Sequence, residues 1–230
     1  MKYNTVLFDV DNTLFDFTAA ELEALSKLLQ HYGAEANEEN IAVYHRINNK
    51  LWKDLEDKKT TAKDLKLRRF ELCFDELNIH TSDTIDRISQ QYIEYLGQGR
   101  QLMPYAEELC RTLYENQIEI IIATNGLTQV QYSRLEGSPI KDFIKTIIIS
   151  EEIGYAKPEL AYFEYALGKS TTKHPGECLM VGDKLSADIL GGLRAGMDTC
   201  WYNPEGVPNE SDIKPHYEVK DLRDILKICL

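Results

Sequence analysis

No apolar run in this chain approaches the roughly 20 residues that cross a bilayer, and none is expected to span one. The first residues, Met1-Lys2-Tyr3-Asn4, lack the apolar stretch of a signal peptide. The expected residence is cytoplasmic. Cysteine is scarce and scattered: Cys73, Cys110, Cys178, Cys200 and Cys229 form no C-x-x-C pair and are odd in number. That pattern argues against a disulfide framework and against a zinc site. Basic residues are in the minority, 26 Lys and Arg against 38 Asp and Glu, for a net charge of −12. A polymeric nucleic acid needs a basic stripe that this balance does not offer. An anionic small molecule would meet the same repulsion, so any phosphate site must be locally positive through a metal ion, a lysine or helix N-termini. Internal repeats and low-complexity tracts are absent too. What remains is a composition of 43% hydrophobic and 28% charged residues over 230 positions, that of a soluble globule with room for a core and a smaller lobe.

Short, often β-branched apolar runs alternate with helical patterns. The runs are Thr5 to Phe8, Ile118 to Thr124, Thr146 to Ser150, Cys178 to Val181 and Thr199 to Tyr202. Helical spacing occupies Tyr105 to Glu115, Leu127 to Leu135, Glu159 to Leu167 and Ala187 to Ala195. Nearly continuous apolar strands alternating with helices predict an α/β fold, a Rossmann-like parallel sheet covered on both faces. Ligands of such sheets sit beyond the carboxyl ends of the strands. From about Thr18 to Tyr95 no strand is expected. Helical spacing there covers Ala19 to Tyr32, Asn40 to Leu55, Ala62 to Leu77 and Thr84 to Tyr95, with apolar stripes Leu22, Leu25, Leu29 and Leu65, Phe70, Phe74. We read residues 17–96 as an inserted helical cap and residues 1–16 with 97–230 as the core. Gly97 and Gly99 are the expected hinge, and the cap is expected to act as a lid.

Four clusters carry chemistry. Asp9-Val10-Asp11 ends the first strand; two acids crowded there repel unless a cation lies between them. A carboxylate can attack phosphorus, so Asp9 is the candidate nucleophile and Asp11 the general acid, then general base. Thr124-Asn125-Gly126 ends a strand and opens a helix, a place for either a phosphate or a simple cap. Lys157-Pro158 is expected at a helix start, where a cation is unfavourable unless an anion lies nearby. Gly182-Asp183-Lys184-Leu185-Ser186-Ala187-Asp188 places a second acidic group at a strand end. Carboxylates, a carbonyl and water suit Mg²⁺; Asp183 is a candidate ligand, and Asp188 either ligates, orients the outer shell or is a first-turn helix acid. Gly191-Gly192 and Gly196 are expected to let a helix pack closely.

In this order the clusters resemble the four motifs of the haloacid dehalogenase-like hydrolases: D-x-D-x-T at Asp9 to Thr13, Thr124, Lys157, and G-D-x-x-x-x-D at Gly182 to Asp188. The resemblance implies a Rossmann-like core, a helical cap inserted after the first motif, and Mg²⁺. It implies metal ligation by Asp9, Asp183 and the main-chain carbonyl of Asp11, phosphoryl contacts from Thr124 and Asn125, and charge support from Lys157. Dehalogenase members lack the second acid of the first motif, because a departing halide needs no proton donor; Asp11 favours phosphomonoester hydrolysis. Asp9 to Phe17, Ile47 to Trp52, Arg69-Phe70, Thr124 to Gly126 and Gly191 through Pro204 further resemble the bacterial pyrimidine 5′-nucleotidase subgroup. Lys184 stands where a small polar residue is the pattern. In the cap, Trp52 could stack a base, Asn48 could hydrogen-bond one and Arg69 could touch substrate, each against a purely structural alternative. The expected partner is a small phosphomonoester, a nucleoside monophosphate first; the chain is expected to be a monomer or small homo-oligomer. Sugar phosphates, phosphoglycolate, a phosphomutase reaction, a haloacid substrate and a non-catalytic binding role are the alternatives.

Overall fold

Side-chain alternation along short apolar strands builds the core. The computed structural model describes residues 2–230. The strands β1 (Thr5–Phe8), β2 (Glu119–Thr124), β3 (Thr146–Ile149), β4 (Cys178–Gly182), β5 (Asp198–Tyr202) and β6 (Tyr217–Val219) form one sheet in the order β3-β2-β1-β4-β5-β6. All neighbours are parallel. Leu7 lies beside Ile121 and Met180, and Phe8 beside Ile122 and Val181. With a period of two, Val6, Phe8, Ile120, Ile122, Leu179 and Val181 enter one apolar layer, while Leu7, Ile121, Ala123 and Met180 enter the other. The first layer is closed by Leu109, Cys110 and Leu113 of helix α5 (Ala106–Glu115), the second by Tyr162, Phe163 and Ala166 of helix α8 (Leu160–Lys169). The Rossmann-like expectation holds. The chain winds outward from β1 to β3 and then returns to place β4 on the other side of β1. The crevice at the carboxyl ends of β1 and β4 is therefore the topological switch point, where open α/β sheets take their ligands.

Contacts divide the chain into two units, Met1–Phe17 with Arg100–Leu230, and Thr18–Gly99. The second is built from helices: α1 (Phe17–His31) enters it, followed by α2 (Glu38–Glu56), α3 (Ala62–Glu76) and α4 (Ile85–Leu96). Side chains of Asn37, Thr61 and Thr84 cap α2, α3 and α4. The Asn37 cap and the acids Glu38 and Glu39 start α2 two residues before its apolar pattern does. The buried face of α1 holds Ala20, Ala24, Leu25, Leu28 and Leu29; Leu22 turns away from it and is exposed. Gly97 has an ordinary helical φ of −65°. A Cβ on Gly99 would lie 2.4 Å from that of Ala20. Gly99 thus serves close packing.

Other differences have local causes. Helix α8 begins at Leu160, two residues beyond Pro158, so Lys157 lies in a turn and not at a helix start. The expected helix Ala187 to Ala195 is a π-helical turn, Leu185–Ile189, running into the short helix α9 (Leu190–Arg194). A Cβ on Gly191 would lie 2.1 Å from the Phe163 ring, and one on Gly192 2.7 Å from Thr199, so both glycines do permit close packing. Gly196 differs from them: its φ of +75° ends the helix. Strand β6 and the helices α7 (Ser150–Ile153) and α10 (Asp224–Cys229) were not expected; all are too short to show a period. Among the described residues no helix is long and apolar enough to cross a membrane, and all five cysteines are buried free thiols.

Candidate active site

The hydrogen-bond ladder of β1 carries Asp9 into the crevice, its N–H donating to the Val181 carbonyl at 2.9 Å. The chain then turns. Asn12 adopts a left-handed φ of 59°, and the N–H groups of Leu14 and Phe15 both donate to the Val10 carbonyl at 2.9 Å. Asn tolerates that conformation better than most residues. The turn sends Asp9 and Asp11 to different partners.

Asp9 meets Lys157. The Lys157 ammonium is buried and donates to Asp9 Oδ1 at 2.5 Å and to the Ala123 carbonyl at 2.6 Å, and it pairs with Asp188 Oδ1 at 2.6 Å. Burial alone would lower its pKa, but the carboxylates of Asp188 and Asp9 outweigh burial and keep it charged. Asn125 places it: its Oδ1 accepts from the Lys157 N–H, and its Nδ2 donates to the Lys157 carbonyl, both at 2.9 Å. The Asn125 amide, expected on phosphoryl oxygens, is thus committed at both ends to the main chain of Lys157. Thr124 ends β2 with its Oγ1 accepting from the Gly126 N–H at 3.0 Å.

Asp9, Asp183 and Asp188 each bring one carboxylate oxygen within 4.8 Å of the others. The Asp183 carbonyl accepts from the Trp201 indole at 2.8 Å, and Asp188 Oδ2 accepts from the Lys184 N–H at 3.0 Å. Gly182 makes room for this arrangement, since a Cβ there would lie 2.3 Å from the Asp188 carboxylate. Three carboxylates face one ammonium. Burial, with the charges of Asp9 and Asp188, pushes the Asp183 carboxyl up to about 8, and Asp188 rises to about 6, chiefly through burial, against the pull of Lys157. Hard oxygen donors carrying excess negative charge suit a divalent cation such as Mg²⁺, and these residues fit one. The Asp11 side chain, the expected acid and base, lies outside this group.

The raised values predict a pH dependence. In chelator Asp183 binds more protons in the folded protein than in the unfolded chain wherever the pH lies between its ordinary value of 3.8 and its folded value of about 8. Stability therefore falls as pH rises through that window. Melting curves in chelator should show a midpoint that declines from pH ~5.5 to pH ~8.5; a flat or rising series would contradict the crowding of these acids.

Asp11 turns toward helix α6 (Thr128–Glu136). Gln131 Nε2 donates to Asp11 Oδ2 at 2.7 Å, and Arg134 Nη1 forms a charged hydrogen bond to Oδ1. Burial raises the Asp11 pKa, the Arg134 charge opposes it, and the Asp9 charge adds to the rise. Neither Gln131 nor Arg134 was singled out from sequence. Their one signal is that they are polar residues sharing a face three positions apart, beside buried Val130 and Leu135.

Asn48, Trp52 and Arg69 belong to the helical unit. Asn48 is buried and donates to Glu21 at 3.3 Å. Arg69 is buried against the rings of Phe70 and Tyr92, 4.8 and 4.7 Å from their centroids, and donates to the Tyr44 hydroxyl at 3.4 Å. Its Nε and Nη2, and Asn48 Oδ1, have no hydrogen-bond partner among the described residues. Trp52 is half-buried on α2.

A family model of the haloacid dehalogenase-like hydrolases matches residues 3–196. The chain is 37% identical over 231 residues to the pyrimidine 5′-nucleotidase PynA of Streptococcus pneumoniae, covering 100% of this chain and 96% of that one. It is 32% identical over 225 residues to the pyrimidine 5′-nucleotidase YjjG of Escherichia coli, covering 98% and 97% of the two chains. A crystal structure of YfnB from Bacillus subtilis bound to magnesium aligns with a TM-score of 0.91 at 36% identity, covering 100% of this chain and 99% of that one. The ordered motifs, the sheet order and these full-length matches agree: the chain belongs to the haloacid dehalogenase-like hydrolases.

Proposed function

We propose that this protein is a Mg²⁺-dependent phosphatase of pyrimidine nucleoside 5′-monophosphates. One observation carries the phosphatase reading: a second acid, Asp11, two residues beyond Asp9, has its own donors. A halide departs without a proton; a ribose alkoxide does not. The nucleotide preference is supported by the names of the two pyrimidine 5′-nucleotidase relatives.

In the proposed first step an oxygen of Asp9 attacks phosphorus while Asp11 gives its proton to the departing ribose oxygen. Asp9 then carries the phosphoryl group. In the second step water attacks phosphorus, Asp11 takes the water's proton, the bond to Asp9 breaks and phosphate leaves. Lys157 balances charge on Asp9 and the phosphoryl oxygens, Asn125 holds Lys157, and Thr124 contacts a phosphoryl oxygen. Asp9, Asp183 and the main-chain carbonyl of Asp11 are the proposed Mg²⁺ ligands, with Asp188 beside them. The ion, when bound, supplies charge neutralisation at the phosphoryl group. Asn48, Trp52 and Arg69 are proposed contacts on the nucleoside side. The unpartnered donors of Arg69 and the unpartnered Asn48 oxygen support the choice of those two, since buried polar groups without partners are costly.

Phosphate release from a panel at fixed Mg²⁺ tests the reading. Uridine, thymidine and cytidine 5′-monophosphates should exceed adenosine and guanosine 5′-monophosphates at least ~10-fold in kcat/KM, about 1.4 kcal/mol of discrimination, and chelation should abolish all turnover. A sugar phosphate or phosphoglycolate turned over faster would replace the nucleotide assignment. Mg²⁺-independent halide release would remove the phosphatase assignment altogether.

A further inference from the structure

The chemistry proposed above uses Asp11 twice, and the reach of its carboxyl group decides both proton transfers. Two side chains of α6 set that reach. Gln131 is 1% exposed and Arg134 fully buried, and each donates to a different oxygen of Asp11. Held at both oxygens, the carboxyl group can neither rotate about its terminal bond nor swing away without breaking a hydrogen bond. The clamp is itself supported. The Arg134 guanidinium lies 4.7 Å from the centroid of the Phe15 ring and 5.8 Å from that of Phe17. Phe15 also bridges Asp11 to Leu102. The Gln131 amide runs past Gly126, where a Cβ would lie 2.1 Å from Nε2. The glycine of Thr124-Asn125-Gly126 therefore leaves space for this amide.

We infer that Gln131 and Arg134, with Gly126 clearing the path, are positioning residues that hold Asp11 where it exchanges protons with the leaving group and with water. The inference rests on the phosphatase reading. It distinguishes the clamp from mere helix packing because Asp11 matters unequally to different esters. Phosphoryl transfer from an alkyl phosphate needs a proton on the departing oxygen; transfer from 4-nitrophenyl phosphate does not, since nitrophenolate leaves unaided. The second step, in which water releases phosphate from Asp9, needs Asp11 whatever the ester.

The test compares uridine 5′-monophosphate, or the alkyl phosphate that wild type turns over fastest, with 4-nitrophenyl phosphate. The variants are Gln131→Met, Arg134→Lys and Gly126→Ala, with melting curves to confirm folding. Misplaced acid–base groups cost roughly 10²-fold or more. We expect kcat/KM for the alkyl ester to fall by about that factor, and kcat/KM for the aryl ester to stay within about threefold of wild type. Acid-quenched variant incubated with the aryl ester should also carry one added phosphoryl group by intact mass, because formation outpaces hydrolysis. Gly126→Ala is informative where Arg134→Lys fails to fold, since it changes neither donor chemically. A parallel loss for both esters, or no loss for either, overturns the inference and leaves the phosphatase reading standing. Wild type inactive on both esters overturns the two together.

Discussion

Asp9→Asn should reduce turnover by roughly 10⁴-fold or more, the scale on which removal of a covalent nucleophile acts, while the protein stays folded. An amide nitrogen or oxygen does not compete with a carboxylate for phosphorus. The change is nearly isosteric, and the side chain is almost fully buried, so no cavity opens. Electrostatics favours the variant. Asp9 and Asp188 pair with one ammonium and Asp183 crowds beside them, and removing one negative charge leaves two acids to balance it. Lys157 keeps Asp188 and the Ala123 carbonyl. The midpoint in chelator should therefore match or exceed that of wild type, and addition of Mg²⁺ should raise it less. Phosphorylated enzyme should be absent from acid-quenched reactions. Turnover near the wild-type level, in a preparation whose mass confirms the amide, would exclude Asp9 as nucleophile.

The parts of this site that were legible in the sequence share a cause. Asp9 and Asp183 follow directly on strands whose apolar runs are continuous, Thr124 ends another, and a parallel sheet brings the ends of β1, β2 and β4 side by side. Strand order was not needed to see that carboxylates at strand ends lie on one edge. The helical unit was legible because four helices of ordinary length leave a clear period. What the sequence hid were contacts made by polar side chains on buried faces. Gln131 and Arg134 look like ordinary solvent-facing residues of a short helix; only the close passage at Gly126 and the turn at Asn12 reveal their partner. The grip of the Asn125 amide on the main chain of Lys157 was hidden too, because it joins residues 32 positions apart. The π-helical turn at Leu185–Ile189 was hidden because its apolar residues also fit an α-helical period. That turn carries Asp188 to the Lys157 ammonium, an arrangement often found at functional sites.

Lys157→Met should lower both turnover and stability, and its dependence on Mg²⁺ and pH separates the two roles. The ammonium has acceptors or ion partners in Asp9, Asp188 and the Ala123 carbonyl, and removing one partner of a buried ion pair costs about 3–5 kcal/mol. For a chain of this size, roughly 2–4 °C of melting midpoint accompanies each kcal/mol, so in chelator at pH ~8.5 the core should melt about 6–20 °C lower. The penalty has a direction in pH. Asp183 and Asp188 bind protons at about 8 and about 6 even with the lysine present. Without it both rise further, since an opposing positive charge is gone. The deficit should therefore shrink toward pH ~5.5, where protons take over the neutralisation. A divalent ion acts in the same sense, and a ligand at 100 times its Kd stabilises by about 2.7 kcal/mol. Because the variant offers the ion the same acids without a competing ammonium, Mg²⁺ should raise its midpoint more than that of wild type. Turnover should remain about 10²–10³-fold down even at saturating Mg²⁺, since a restored charge balance does not replace a donor on Asp9 and the phosphoryl oxygens. A variant that melts with wild type in chelator at pH ~8.5 would mean that the three carboxylates do not depend on this ammonium, and the electrostatic account of the site would fail.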